Sequence, residues 1–382
     1  MHRPGSPICQ GFFMSEIYIG LMSGTSLDGV DALVVDFAYS PMRVLGEAFV
    51  PYPAAVREQV LTLQPVGHDE LARSALLGNT LATLYAQAVQ QALHATGLVA
   101  TDIRAVLCHG QTIRHAPQHG YTLQIGNHAL LAELCGIDVI GDVRSRDVAA
   151  GGQGAPLVPA FHQAEFASAT VSRVILNIGG IANLTRLSPG QPVIGFDTGP
   201  GNMLLDAWIR RHRGLDYDAA GAWAASGQVQ SALLQRLLAE PYFAANLPKS
   251  TGRDLFDLPW LDAHLSAHTR QYGPVPDADV QATLLALTTH SIAAAVLRFA
   301  PCCQELYVCG GGAQNPVLMA SLAANLAGIH IETTEALGLA PQQVEAAAFA
   351  WLGWCFCQRQ PANLPEVTGA RGLRVLGALY PY

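Results

Sequence analysis

Two stretches of this chain share one plan, and the plan limits what the rest can fold into. GLMSGTSLDGVDALVVDF (20–37) and RVILNIGGIANLTRL (173–187) each read as apolar strand, glycine-rich turn, apolar strand. Short runs of Ile, Leu and Val around such a turn form antiparallel hairpins, here with strands over 16–22 and 30–37 in the first copy. A reversal needs only two residues, and Asp28-Gly29 would supply them, so the remaining Ser, Gly and Thr of the first turn ask for another explanation. A chain without Cβ atoms can bend its N–H groups toward one anion, and Ser or Thr hydroxyls add donors. The second hairpin echoes the first as though one unit had been used twice.

Strand and helix signals alternate through the rest. Residues 70–96 carry Ala and Leu at helical spacing and stop at Gly97. AVLCHGQT reads as a strand with a polar tip, followed by TLQIGN, a helix over 128–135 and a strand at Asp138–Ile140. PVIGFDTGPGNMLLDAWIRRH (192–212) and ELYVCGGGAQNPVLMASLAANL (305–326) both run strand, turn, helix. A last helix opens at Pro341 and continues through VEAAAFAWLGWCF, where Trp351, Trp354 and Phe356 make it a core element. The run AAGGQGAP at 149–156 is a candidate hinge. The expected division is a disordered extension over 1–13, with Met14 opening the first strand, an N-terminal lobe over 14–145 and a C-terminal lobe over 146–364. Segment 365–382 is a candidate to pack back on the N-terminal lobe.

With 382 residues, half of them hydrophobic, the chain can bury more than one core. Its 21 Lys+Arg against 29 Asp+Glu give a net charge of −8, which argues against a nucleic-acid surface and for small-molecule partners. The eight cysteines show no CxxC pair and read as reduced thiols, so a cytoplasmic location is expected. Stretches such as LLALTTHSIAAAVLRFA are interrupted by His and Arg, and no membrane partner is expected.

The turns match neither common phosphate loop. No GxxxxGK[ST] is present, and Gly310-Gly311-Gly312-Ala313-Gln314-Asn315 lacks the last glycine of GxGxxG. Phosphate held by hairpin turns, one from each lobe, is the arrangement of the actin-like ATPase and sugar-kinase superfamily. Longer motifs narrow this: GLMSGTSLDGVD (20–31), CHGQTIRHAP (108–117), LQIGN (123–127), DVRSRDVAAGGQGAPLVPAFH (142–162), LNIGGIANLT (176–185), GFDTGPGNMLLD (195–206), PKSTGRDLF (248–256), CGGGAQNP (309–316) and VEAAAFAWL (344–352). By these the chain resembles the anhydro-N-acetylmuramic acid kinases of bacterial cell-wall recycling, apart from Val143, where an aromatic residue is expected before Arg144.

The resemblance implies an α/β, two-lobed fold, each lobe a mixed sheet flanked by helices, with the active site in the cleft between them. It implies a phosphotransferase with an alcohol acceptor: water opens the 1,6-anhydro bridge of 1,6-anhydro-N-acetylmuramic acid at C1 while O6 takes the γ-phosphate of ATP. ATP and Mg2+ are the implied cofactors, and a homodimer is the implied assembly. A sugar-responsive regulator on this fold would carry a basic DNA-binding segment, and none is visible. An actin-like filament or chaperone would use the nucleotide clasp for shape change and hydrolyse ATP without sugar. A kinase for an open hexose is the nearest rival.

Asp197 ends the apolar strand PVIGF and precedes TGPGN, at a strand tip where ligands bind in open α/β sheets. Spacing alone allows it to serve as a base or to hydrogen-bond its own turn; the resemblance makes it the base that takes the proton of water. Glu345, in the first turn of the last helix, suits the helix dipole, and the family motif implies a second catalytic carboxylate orienting water or the departing oxygen. The implied ATP contacts are Gly24, Thr25, Ser26, Leu27, Asp28, Gly29, Val30 and Asp31, then Gly179 and Gly180, then Gly310, Gly311, Gly312 and Asn315. Asp28 or Asp31 could approach magnesium through water, and no protein-only metal site is expected. The sugar, with its lactyl carboxylate and hydroxyls, is assigned His109, Gln111, Arg144 and Asp147. His109 and His115 lack a third ligand, so zinc is not expected. Lys249, Ser250 and Arg253 are expected in a loop over the nucleotide side.

Overall fold

The computed structural model describes residues 15–24, 26–252 and 254–382, so the expectations for 1–13, Met14, Thr25 and Arg253 lie outside the described residues. The first hairpin forms as expected. β1 (Ile17–Met22) runs antiparallel to β2 (Gly29–Asp36), with Met22 opposite Asp31, and β2 is followed by antiparallel β3 (Arg43–Pro51). On the other side of β1 come the parallel strands β4 (Ala105–Cys108) and β7 (Val139–Gly141). A separate ribbon of β5 (Gln111–Ala116) and β6 (Tyr121–Ile125) stands between them in the chain.

The second lobe repeats this plan. β8 (Arg173–Ile178) pairs antiparallel with β9 (Ile181–Leu187), β9 with β10 (Ile194–Pro200), and on the other side of β8 come the parallel strands β11 (Glu305–Cys309) and then β12 (His330–Thr333). The two orders, β3-β2-β1-β4-β7 and β10-β9-β8-β11-β12, are the same unit drawn twice. β13 (Ala378–Tyr380) extends the first sheet by pairing with β7, which brings the C-terminal segment onto the N-terminal lobe. The result is the two-lobed α/β fold expected above, each lobe a mixed sheet flanked by helices.

Three apolar clusters hold the molecule together. In the first lobe, the helix Glu70–Thr96 buries Leu77, Leu81, Tyr85, Val89 and Ala92 at helical spacing against β2 and β3, and Gly97 ends it at φ 69. In the second lobe, the helix Asp277–Phe299 is long and apolar enough to cross a membrane by length and composition, yet 83% of its apolar window is buried inside the lobe. The third cluster lies between the sheets and joins Tyr18, Leu33 and Leu107 to Ile175, Leu187 and Tyr307 through the helix Val344–Cys357.

That helix starts at Val344 rather than at Pro341, because residues 341–343 form a turn and the Pro341 carbonyl accepts from Gly310 N. It is apolar on nearly every side, as a helix between two sheets must be. Although it falls within the stretch assigned to the C-terminal lobe, it packs on β1, β2 and β4 of the first sheet. The approach is backbone to backbone: a Cβ on Gly20 would lie 2.0 Å from the Ala346 carbonyl. Val143, where the family motif leads one to expect an aromatic ring, is 2% exposed within this same cluster.

Candidate active site

The inter-lobe face of the second sheet carries a polar row. Asn177 on β8 pairs with Asn183 on β9, and Asn183 pairs with Asp197 on β10. Cross-strand partners point to one face, and strands sit about 4.8 Å apart, so Asp197 lies about 10 Å from Asn177 along the row. Ile175, two residues before Asn177, belongs to the inter-lobe cluster, which identifies the face. A bulge between Asp197 and Gly199 bends the edge strand at the row's end and re-aims the side chain.

Asp197 has few partners. Thr251 N donates to Oδ2 at 3.1 Å, and Tyr242 Oη donates to its main-chain carbonyl at 2.7 Å. Burial pushes the Asp197 pKa up to about 6, against the opposing pull of the Thr251 hydrogen bond and the Lys249 ammonium. Lys249, itself lowered by desolvation, lies over the Tyr242 ring at 4.7 Å. The segment 249–251, expected in a loop over the nucleotide side, therefore packs beside Asp197.

Glu345 sits between the lobes. Asn177 Nδ2 donates to its Oε1 at 3.0 Å, and burial raises its pKa while that hydrogen bond and the Arg144 charge pull it down. From the first lobe, Asp31 is raised to about 6 by desolvation and then by the like charges of Glu345, Glu47 and Asp28. Asp31, Arg144 and Asn177 thus all have Glu345 as a neighbour between the lobes. An accumulation of carboxylates of this kind fits a divalent cation carried on nucleotide phosphates. Among the described residues no three acids, His or Cys converge to hold a metal by themselves.

Several residues assigned to ligands have partners within the protein. His109 is 4% exposed and Gln111 fully buried; His109 Nδ1 faces the Ser23 carbonyl at 3.3 Å and Gln111 Nε2 donates to the Gly24 carbonyl at 3.2 Å. They buttress the first turn from behind, together with Ser23 Oγ, which bonds Tyr85 Oη and the Gly110 carbonyl. Burial and the Arg144 charge lower the His109 pKa to about 3, so its neutral ring accepts from Arg144 Nε at 3.1 Å. Asp147 has no solvent exposure, and its carboxylate accepts from Gly154 N, Asn363 Nδ2 and Thr368 Oγ1. Leu27 and Val30 pack into the first core, Gly29 lies against β3, and Asn315 caps the helix Pro316–Asn325. At Gly310 and Gly312 an added Cβ would strike Asn177 Oδ1 and the Ile178 side chain at 2.2 and 2.4 Å, so close packing alone explains those glycines.

The remaining glycines have no such explanation. A Cβ on Gly24, Gly179, Gly180 or Gly311 would meet nothing closer than 3.6 Å, and none of the four has a positive φ. Their missing side chains leave open space at the turn tips. Ser26 and Asp28 are exposed beside Gly24, while the Gly179 and Gly180 carbonyls accept from the amides of Asn202, Gly201 and Met203. Residues that the motifs alone did not single out include Asn177 and Thr251; the first stands within LNIGG, two positions before Gly179, which is the signal that could have found it.

Comparison with known proteins shows the family to which the chain belongs. The family model described as anhydro-N-acetylmuramic acid kinase matches residues 16–382. A protein of that name from Chromobacterium violaceum is 59% identical over 370 residues, covering 96% of this chain and 100% of its own length. Its namesake from Bordetella petrii is 56% identical over 369 residues, covering 96% of each. Among solved structures, an activator of the 2-hydroxyisocaproyl-CoA dehydratase from Clostridium difficile with bound ADPNP aligns at a TM-score of 0.47 and 12% identity, over 90% of this chain and 96% of that one.

Proposed function

Since the chain belongs to the anhydro-N-acetylmuramic acid kinase family, we propose that Asp197 and Glu345 are the carboxylates with which it carries out that family's reaction. The enzyme is an ATP-dependent phosphotransferase with an alcohol acceptor. It opens the 1,6-anhydro ring of 1,6-anhydro-N-acetylmuramic acid and phosphorylates O6, giving N-acetylmuramic acid 6-phosphate and ADP in peptidoglycan recycling.

The observation that carries the assignment is the state of Asp197: half-buried, raised to about 6, with a single backbone donor on its carboxylate. Such a group is ionised at neutral pH yet basic enough to take a proton, which contributes about 10²–10⁴-fold in rate. Asp197 accepts one proton of water as the water oxygen bonds to C1; the C1–O bond of the bridge breaks, and its electron pair stays on O6. O6 attacks the γ-phosphorus, and the bond to the β-phosphate oxygen breaks to release ADP. Glu345, between Asn177 and Arg144, orients the departing oxygen. The open tips at Gly24 and at Gly179 and Gly180 present backbone N–H groups to the phosphates from both lobes, so closure of the lobes completes the site. Magnesium would neutralise phosphate charge, held through water by Asp28 and Asp31.

Oxygen-18 water tests the reading. Product sampled at the earliest times should carry one solvent oxygen at C1 and none in the phosphate. A phosphorylated product unlabelled at C1, as from an ordinary hexose kinase, or label in the phosphate, defeats it.

A further inference from the structure

Three arginines distant in sequence converge on one surface pocket outside the cleft. Arg146 belongs to the short helix Ser145–Ala149, Arg359 follows the helix Val344–Cys357, and Arg374 comes from the C-terminal segment. With Phe356, Leu373 and Val375 they line about 520 Å3, within the range of roughly 300–1,000 Å3 typical of small-ligand sites. Some arginines elsewhere are neutralised by acids, as in Arg114–Glu70, Arg173–Glu305 and Arg211–Asp262. None of these three has a carboxylate partner among the described residues. Arg374 Nη1 reaches only the adjacent Leu373 carbonyl, and Arg359 lies 5.9 Å over the Phe356 ring. Arg359 also holds a left-handed backbone, φ 55, which a side chain adopts at a cost. In a chain of net charge −8, three unpaired guanidiniums around one concavity concentrate positive potential where an anion can enter.

We propose that this pocket binds a phosphate monoester on a compact polar body, the sugar-phosphate class. Guanidinium forks match phosphate oxygens in pairs, and Phe356, Leu373 and Val375 offer apolar walls for the C–H face of a sugar ring. A bare phosphate would leave those walls uncovered. The pocket is also tied to the cleft. Arg374 N donates to Asn363 Oδ1 (2.6 Å), Asn363 Nδ2 to Asp147 Oδ1 (2.7 Å), Gly154 N to Asp147 Oδ2 (2.8 Å) and Arg144 Nη1 to the Gly154 carbonyl (2.8 Å). Arg144 then meets His109, behind the first phosphate turn. A ligand that fixes Arg146 and Arg374 thus acts on the segment that sets Arg144, and any coupling to the cleft runs equally in both directions.

Calorimetric titration of the full chain with its cleft filled by a non-hydrolysable ATP analogue together with saturating 1,6-anhydro-N-acetylmuramic acid separates this site from the active site. Glucose 6-phosphate should bind, inorganic phosphate more weakly and glucose not at all. Arg359→Glu and Arg374→Glu should each weaken glucose 6-phosphate at least about tenfold, and Arg374→Lys should keep most of the affinity. Far-UV circular dichroism of each variant should match the parent, as expected for changes at a surface pocket. No binding to the filled enzyme, or affinity unchanged in an Arg359→Glu/Arg374→Glu double variant that retains its fold, overturns the site. Equal affinity for phosphate and glucose 6-phosphate overturns the ligand class.

Discussion

Asp147 has three donors on two carboxylate oxygens and no contact with solvent, whereas Asp197 has one backbone donor and an ammonium nearby. Both stand beside glycine-rich runs, and both belong to motifs shared with the same family. The difference lies in unused acceptor capacity. A carboxylate whose lone pairs are filled from inside the protein is a structural tie, and further protons or ligands find it occupied. One held by a single N–H, and desolvated, keeps lone pairs for a water molecule and has a pKa set for proton transfer. The same test divides the glycines: Gly310 and Gly312 are required by neighbouring atoms, while Gly24 and Gly180 face open space.

The largest expected effect is on chemistry. Asp197→Asn keeps size and one acceptor but removes the base, so kcat should fall by at least about 10²–10³-fold with the KM for ATP little changed. In the parent, kcat/KM should decline as pH falls through about 6, where Asp197 becomes protonated. A variant with near-parent kcat would erase the distinction between the two aspartates. Asp147→Ala should act on the fold instead. It removes three buried hydrogen bonds and leaves Gly154 N without its acceptor, a loss of about 3 kcal/mol, read as a lower midpoint in urea with kcat of the remaining folded enzyme less affected than in Asp197→Asn. A smaller effect is expected at the turn tips: Gly24→Val or Gly180→Val should raise the KM for ATP about tenfold by keeping phosphate from the backbone N–H groups, without the midpoint shift that Gly310→Val should cause.

Much of this fold was legible because its signals are local. Helix 70–96 with its stop at Gly97, both hairpins, and the strand before Asp197 follow from periodicity and turn residues within a few positions. The repeat of one sheet plan was legible from two hairpins alone. What stayed hidden depends on residues far apart in the chain. Asp147 reads as a ligand until Asn363 and Thr368, 216 and 221 positions away, are seen on its carboxylate. That His109 and Gln111 back the Ser23–Gly24 turn was not legible, because a polar strand tip gives no sign of which side it faces. Glu345 was found by motif, but its partner Asn177 lies 168 positions away. The pairing of segment 249–251 with Asp197 likewise has no local signature.

The smallest expected effect has the sharpest sign. Folding raises the Asp197 pKa to about 6, against about 3.9 for an unfolded aspartate. The folded state therefore binds this proton more tightly than the unfolded state does. Above about pH 6 the ionised carboxylate costs stability, the cost fades as pH falls from about 6 to about 4, and it is gone below that. Asp197→Asn is neutral throughout and still offers Thr251 N an oxygen. Its Tm should exceed the parent's at pH 8 by a few degrees and converge with it near pH 4.5, whereas Asp147→Ala should lie below the parent at both. Differential scanning calorimetry at the two pH values decides. A pH-independent offset for Asp197→Asn, or a lower Tm at pH 8, would mean that Asp197, like Asp147, is held chiefly to stabilise the fold.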